Sequence, residues 1–395
     1  MKKAWVVTVN MGYGHQRAAA PLLSVAEGGA IITANDYEGI PDADRRRWKS
    51  MEAGYYAISR IKEHGGFVGE RLFRIFDLFQ AIRGLDDKHD ERKPTLQLRQ
   101  IYRYVRDGFG RHLIEKLSAN PIPLITTFFT VAHMADVWHY PGDVFVITTD
   151  SDISRAWVSF NPLKNNFRYC ASTEHVVEHL KKYGVPAERI LLTGFPLPGV
   201  LTKNIDLDYQ SRLTRLQSGA PITAMFAVGG AGAQAGIGAE LLKDTVGMLR
   251  SGELRLIVVT GKNEMLAKDF EDLRASLGLS NREVTIMRAH KGLNFLGEFN
   301  DALRNTDLLW TKPSELSFYA ALGLPVIMTP PVGAQEVKNR EWLLSLGSGI
   351  DYPTHHDFKA WICEERTKRT FENMAYAGFE KMERNGTGNI LKLLS

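Results

Sequence analysis

Apolar residues in this chain gather into short runs, and each run gives way to a loop of glycine and polar residues before helical spacing begins. The runs at 4–9, 122–128, 144–148, 166–171, 190–193, 224–228, 254–259, 308–310 and 324–328 read as strands. Helices or turns separate them, which is the rhythm of an open parallel sheet. The stretch 307–339 shows the unit most fully. A strand passes through Thr311-Lys312-Pro313 into a helix on which Leu316, Tyr319, Ala320 and Leu322 recur at helical spacing, and Gly323 stops it. A second buried strand then leads through Pro-Pro-Val-Gly to Gln335, Glu336 and Asn339 as another helix begins. Ligands of such sheets sit outside the carboxyl ends of the strands, which gathers Lys312, Ser314, Glu315, Gln335, Glu336 and Asn339 on one rim. The same residues also suit ordinary polar loops.

Two regions break the rhythm. From 41 to about 116 the chain becomes helical and rich in Arg, with Asp44-Arg-Arg-Arg-Trp48-Lys49 and a stretch at 67–79 that puts Leu72, Ile75, Phe76 and Phe79 on one face. Such a face either packs on a core or docks on a membrane, its bases meeting anionic headgroups. The run 86–94 reads as a solvated loop, although its Asp and His residues are of metal-binding type. The stretch 197–222, with prolines and a charged helix, reads as a connection between domains, and the chain from about 356 is helical and charged.

At 395 residues there is material for two α/β domains with full cores. A net charge of +4 is too weak to argue for nucleic acid. Cys170 and Cys363 stand in unrelated contexts, which excludes a Cys-x-x-Cys zinc site or a disulfide framework and favours a reducing cytoplasm. The opening Met-Lys-Lys precedes an apolar run too short for a signal peptide, and no stretch approaches the ~20 apolar residues of a membrane span.

Candidate chemistry sits at the strand ends. The first strand enters Asn10-Met-Gly12-Tyr-Gly14-His15-Gln-Arg17, and a helix follows from about 18. The glycines allow a tight turn, and the helix amides favour an anion or a sugar hydroxyl. His15, with a reference pKa near ~6.5, is either a base facing a cleft or a capping residue. The strand at 144–148 ends in Thr149-Asp150-Ser-Asp152-Ile-Ser154-Arg155-Ala-Trp157. The strand at 224–228 enters Gly229-Gly230-Ala-Gly232-Ala-Gln234-Ala-Gly236, whose backbone could approach a diphosphate. Its glycine spacing is close to the dinucleotide fingerprint without matching it. The next strand ends in Thr260-Gly261-Lys262-Asn263 rather than in an acidic residue.

Lys312-Pro313, Gly323-Leu-Pro325 and Gln335-Glu336-x-x-Asn339 together resemble the donor-site region of glycosyltransferase family 28, which includes diacylglycerol glycosyltransferases and the peptidoglycan N-acetylglucosaminyltransferase. The amino-terminal Gly12-Tyr-Gly14-His15 loop, the Gly-Gly-x-Gly loop at 229–232, Val-Thr-Gly261-Lys262-Asn263 and the segment from Asp150 to Trp157 resemble its other motifs in the same order. The resemblance implies the glycosyltransferase B fold: an α/β chain of two Rossmann-like domains facing across a cleft. Acceptor binding would fall to 1–200, nucleotide-sugar binding to 201–355, and 356–395 would pack back on the first domain. It implies His15 as catalytic base, with Asp150 the alternative. Gly12, Gly14, His133, Asp152 and Trp157 would lie on the acceptor side. Gly229, Gly230, Gly232, Gln234, Gly261, Lys262, Asn263, Lys312, Ser314, Glu315, Gln335, Glu336 and Asn339 would bind the donor, Gln335 through sugar hydroxyls. The partners implied are a nucleotide-sugar donor, in the first place a uridine diphosphate sugar, and a hydroxyl acceptor, with a lipid and peripheral membrane association among the options. No cofactor, metal or nucleic acid is called for.

Two departures accompany the resemblance. The family's ribose-holding Glu aligns with Ala320, with Glu315 nearby, and its second acceptor-side His is replaced around Ser154 and Arg155. A nucleotide-sugar epimerase or hydrolase of the same fold, or a non-catalytic binder, are the other readings.

Overall fold

The computed structural model describes residues 1–64, 91–228, 234–289, 294–331, 333–353 and 357–395. The chain forms two compact units: Met1–Pro198 with Gly333–Lys338 and Asn385–Ser395, and Gly199–Val332 with Asn339–Arg384. Among the described residues each holds one six-stranded sheet in which every pairing is parallel.

The first sheet contains β1 (Trp5–Thr8), β2 (Ile32–Thr33), β3 (Leu124–Thr126), β4 (Val144–Ile147), β5 (Arg168–Ala171) and β6 (Ile190–Leu192), in the order β2-β1-β3-β4-β5-β6. Its inner strands β1, β3, β4 and β5 are apolar at most positions because both their faces are covered. Val7, Leu124, Val144, Val146, Tyr169 and Ala171 enter one core, while Val6, Ile125, Phe145, Ile147 and Cys170 enter the other, as the two-residue side-chain period dictates. The second core is closed by the helix Gly386–Lys392, whose Ile390 packs beside Leu22 and Val25. Gly386 is required there, since a Cβ would lie 2.2 Å from the Phe195 carbonyl oxygen.

The Arg-rich region supplies the helices Asp42–His64, Leu96–Arg106 and Arg111–Ser118. Trp48, which the sequence offered to a membrane face, is buried, with its ring edge-on to Phe109 at 5.0 Å and tilted against Phe128 at 6.0 Å. A large aromatic surface is more stable in this core than exposed. The stretch 67–79 and most of 86–94 lie outside the described residues.

The second sheet contains β7 (Ile222–Ala227), β8 (Leu254–Gly261), β9 (Val284–Arg288), β10 (Leu308–Thr311), β11 (Val326–Met328) and β12 (Gly349–Asp351), ordered β12-β11-β10-β7-β8-β9. Its core joins Phe226, Val258 and Trp310 to Phe358, Ile362 and Phe371 from the helices Phe358–Thr367 and Thr370–Lys381, which therefore stay with this unit. The connection expected at 197–222 is instead built into it. Arg212, on the helix Ile205–Gln217, is buried and donates to the carbonyls of Thr306 at 2.8 Å, Leu322 at 2.7 Å and Gly323 at 3.3 Å. Burial lowers its pKa to about 10, so it stays charged at neutral pH and tolerates burial because carbonyls surround it.

The helix expected after Lys312-Pro313 is a 3-10 segment, Glu315–Leu322. An α-helix with one apolar face was expected, yet every residue from Leu316 to Leu322 is buried. The helix Thr370–Lys381 comes so close that a Cβ on Gly378 would meet the Ala320 oxygen at 2.3 Å. Gly323 does end the segment, in the left-handed conformation at φ 67°.

Candidate functional site

Topology selects two crevices before any side chain is considered. In an open parallel sheet, the loops after two neighbouring strands diverge where the strand order reverses, and a ligand fits between them. The order β2-β1-β3 puts that point between β1 and β3, and in the second sheet it falls between β10 and β7. The described residues that follow those strands are 9–12 and 127–128 in the first unit and Val228, Gln234 and 312–315 in the second, with His15 in the helix that comes next in the first.

At the first crevice the helix Tyr13–Ala19 begins earlier than expected, straight after Gly12 at φ 96°, so His15 lies in its first turn. His15 Nδ1 is 2.7 Å from the carbonyl oxygen of Thr127, which can only accept. The proton therefore sits on Nδ1, and Nε2 keeps its lone pair. Thr127 Oγ1 returns a hydrogen bond to the His15 carbonyl at 3.1 Å and shares another with Thr8 Oγ1 at 3.0 Å, so helix start and strand ends are laced together. Phe128 packs edge-on to the imidazole at 4.8 Å and Trp157 lies 6.4 Å away. Burial lowers the pKa of His15 to about 4, against an opposing contribution from the Thr127 carbonyl, so the ring is neutral at pH 7 and below the reference expectation.

The other residues assigned to the acceptor side divide. Asp150 follows β4, half-buried, and its carbonyl accepts from Ser172 Oγ at 2.5 Å. Asp152 is buried, 2.6 Å from His179 Nδ1, and also accepts from the Ile153 amide at 2.8 Å. Its carboxylate is thus occupied inside the unit. His133 is fully buried in the helix Phe129–Val137 and its Nε2 donates to the Ala156 carbonyl at 2.8 Å, with burial lowering its pKa to about 4. It packs beside Tyr102 rather than lining an open face, because one side of that helix is core. Arg155 is also buried, its guanidinium donating to the carbonyls of Val158 at 2.8 Å and Ser159 at 3.1 Å and to that of Arg92. It fastens a loop and stands in for no imidazole. Trp157 is buried against Phe129.

At the second crevice, Gly229, Gly230 and Gly232 lie outside the described residues. Gln234 opens the helix Ala235–Asp244 and is 3% exposed, yet among the described residues neither Oε1 nor Nε2 has a hydrogen-bond partner. A buried amide left so costs roughly 1–3 kcal/mol, which a bound polar ligand would offset. Across the strand pair, Thr311 is registered with Ala227, so Lys312, Ser314 and Glu315 start the loop beside that of β7, all three half-buried. Ala320 is buried, which leaves Glu315 as the carboxylate of this turn.

Gly261 ends β8 at φ 61° and Lys262 is exposed. Asn263 caps the helix Glu264–Ser276, its side chain accepting from Leu266 N at 3.0 Å, so its oxygen is committed to the backbone. Asn339 is fully buried and its Nδ2 donates to the Pro313 carbonyl at 3.3 Å, tying the helix Ala334–Leu346 to the Lys312-Pro313 turn. That makes it a positioning residue. Gln335 is half-buried and Glu336 buried in the first turn of the same helix. Thr127 had no signal in the sequence, because a Thr at a strand end is common and its partner lies 112 residues away. Among the described residues no three His, Cys, Asp or Glu side chains gather as a metal cage.

A family model described as a domain of unknown function (DUF6938) matches residues 185–298. A processive diacylglycerol beta-glucosyltransferase of Bacillus pumilus is 23% identical over 386 residues, covering 94% of this chain and 90% of the relative. Its namesake in Bacillus cytotoxicus is 27% identical over 72% of this chain, which spans 66% of that relative's length. Among solved structures, the S. aureus MnaA-UDP co-structure superposes with a TM-score of 0.50 at 11% identity, over 79% of this chain and 81% of that one. UDP-GlcNAc 2-epimerase from Neisseria meningitidis bound to UDP-GlcNAc gives 0.50 at 14% identity, over 76% and 83%.

Proposed function

We propose that this chain, a glycosyltransferase of the glycosyltransferase B fold that is similar to family 28 along nearly its whole length, moves a hexose from a uridine diphosphate sugar to a hydroxyl of a lipid acceptor. The observation that carries the chemistry is the His15–Thr127 hydrogen bond. It selects the tautomer whose Nε2 can take a proton, at the crevice where a parallel sheet binds ligands. The acceptor oxygen attacks the anomeric carbon, the bond from that carbon to the diphosphate breaks, and the acceptor proton passes to Nε2. The hydroxyl grows more acidic as the new bond forms, so a neutral imidazole with a lowered pKa suffices.

At the second crevice the departing diphosphate would meet amides at the start of the helix Ala235–Asp244 and the ammonium of Lys312, positive charge placed where negative charge develops. Gln234 would complete its hydrogen bonds on the nucleotide. Gln335 and Glu336 are assigned to the sugar, and the Lys312-Pro313 turn is held for this by Asn339. Membrane attachment is assigned to the outer face of the helix Leu96–Arg106, where Leu96, Arg99, Arg103 and Tyr104 are exposed, because bases and apolar tips together suit an anionic interface.

The test is turnover with uridine diphosphate sugars and detergent-dispersed diacylglycerol, following glycolipid and released diphosphate. Lipid-dependent release with glycolipid formed is expected. Sugar isomerised or hydrolysed at the same rate without any acceptor would overturn the transferase reading in favour of an epimerase or hydrolase.

A further inference from the structure

The loops that follow β1 and β2 enclose, with one face of the helix Asp42–His64, a recess of about 240 Å³. Asn10 and Asn35 clamp the two loops. Asn35 Oδ1 accepts from the Asn10 amide at 2.8 Å, and its Nδ2 donates to the Asn10 carbonyl at 3.3 Å, so both ends of this side-chain amide are spent on the wall. The helix contributes Arg45, Trp48, Lys49 and Glu52, spaced i, i+3, i+4 and i+7 and therefore on one face, and Asp36 stands on the loop after β2. Trp48 is 3% exposed, so it offers the recess an edge and no open ring face.

Four charges thus line a small space, Arg45 and Lys49 against Asp36 and Glu52. Among the described residues none of these four side chains forms an ion pair or hydrogen bond with another. The charges are also ordered. Both cations precede Glu52 along the helix, and Lys49 and Glu52 are about 4.5 Å apart in rise. A lone anion would gain two cations and meet two carboxylates, and a lone cation would meet the reverse. A zwitterion with its anion toward Arg45 and Lys49 and its cation toward Asp36 and Glu52 is attracted at both ends, which an uncharged hydroxyl ligand is not. The carboxylates accept N–H donors, of which a primary ammonium has three and a trimethylammonium none. Quaternary cations are held by open aromatic faces, and Trp48 presents none. The volume lies below the ~300 Å³ at which pockets for drug-sized ligands begin, so the recess takes a headgroup and not a chain.

We propose that this recess binds a phosphoethanolamine diester, its phosphodiester on Arg45 and Lys49 and its primary ammonium on Asp36 and Glu52. Such a group comes either as the head of a zwitterionic lipid or as free glycerophosphoethanolamine. The sugar transfer proposed above makes no use of it.

In saturation-transfer NMR on the full chain at low salt, without nucleotide sugar or acceptor, glycerophosphoethanolamine should bind. Glycerophosphocholine, inorganic phosphate and methyl β-D-glucopyranoside should each bind at least tenfold more weakly. Asp36→Ala and Lys49→Ala, both at exposed positions, should each weaken glycerophosphoethanolamine at least tenfold, with Tm within a few degrees of wild type. Glycerophosphocholine bound as tightly, or glycerophosphoethanolamine bound equally by wild type and both variants or not bound at all by wild type, would overturn the site. Vesicles without net charge separate the two sources and keep the test apart from the Arg99 and Arg103 face. Co-sedimentation that rises when phosphatidylethanolamine replaces part of the phosphatidylcholine, and no longer rises in Asp36→Ala, marks the lipid head. Free ligand bound with no such rise marks the soluble diester, and either result supports the site.

Discussion

His15 and Thr127 are joined twice: the imidazole Nδ1 donates to the Thr127 carbonyl at 2.7 Å, and Thr127 Oγ1 donates to the His15 carbonyl at 3.1 Å. This double link sets the ring orientation and the tautomer together. With His15 as base, His15→Ala should lower turnover about 10²-fold or more with donor affinity unchanged. Because the pKa is lowered to about 4, the rate should stay level from pH 8 to pH 5 and fall only as pH approaches that value. A rate that inflects near the reference value of ~6.5, or a variant within a few-fold of wild type, would pass the role to Asp150.

His133 makes a separate prediction about acid stability. Its folded pKa of about 4 lies below the unfolded 6.5, so between those values the unfolded chain binds a proton that the folded chain does not. The stability present above pH 6.5 is therefore lost as pH falls toward 4, by on the order of 3 kcal/mol for this residue. His133→Phe should flatten part of the urea-unfolding curve between pH 7 and pH 5, at some cost at pH 7 from the Ala156 carbonyl it leaves unpaired. An unchanged slope would mean that the imidazole finds solvent on protonation.

Gln234 separates stability from binding. Its two amide atoms are buried without partners among the described residues, so Gln234→Met, close in volume and apolar, should stabilise the ligand-free protein by roughly 1 kcal/mol and raise Tm by a few degrees. The same change should weaken uridine diphosphate binding about tenfold or more. Both effects are read in one thermal-shift titration, and a variant that binds the nucleotide as wild type does removes Gln234 from the site.

The proposed role of Gln335 is to hold the sugar and not the nucleotide. Gln335→Ala should weaken the nucleotide sugar about tenfold and leave the free diphosphate within twofold by calorimetry, one lost hydrogen bond being worth about 1 kcal/mol. Equal losses for both ligands would move Gln335 to the diphosphate.

Arg99 and Arg103 test the membrane face in place of Trp48. Arg99→Glu combined with Arg103→Glu should abolish co-sedimentation with anionic liposomes at low salt, and wild-type binding should weaken as salt rises. Wild-type protein that stays in the supernatant at low salt returns the helix Leu96–Arg106 to a plain solvent-facing role.

The nine strands legible in the sequence all formed: eight lie inside their sheets, where a strand covered on both faces must be apolar at nearly every position, and the ninth, β6, is an edge strand whose Ile190-Leu191-Leu192 run is apolar all the same. The three missed strands, β2, β9 and β12, are all edge strands. These three are half-exposed and mixed in polarity, as in Ile32-Thr33 and Gly349-Ile350-Asp351, and carry no such run. The α-helix expected at 315–322 went astray for a related reason: spacing cannot distinguish one apolar face from burial all round, which the approach of Gly378 imposes.

Local order along the chain is what the amino-acid sequence determined by itself: the strand–loop–helix rhythm, the glycine turns, and the position of His15, Asp150, Lys312 and Gln335 after their strands. Those properties follow from neighbouring residues. Tertiary structure decided which of the candidates are turned inward. Asp152 meets His179, Asn339 meets Pro313, His133 meets Ala156 and Asn263 caps its own helix, while His15 keeps Nε2 free of the Thr127 contact. All but one of these pairings, that of Asn263, join residues more than twenty positions apart, and only the packing of whole elements brings such donors and acceptors within 3.5 Å.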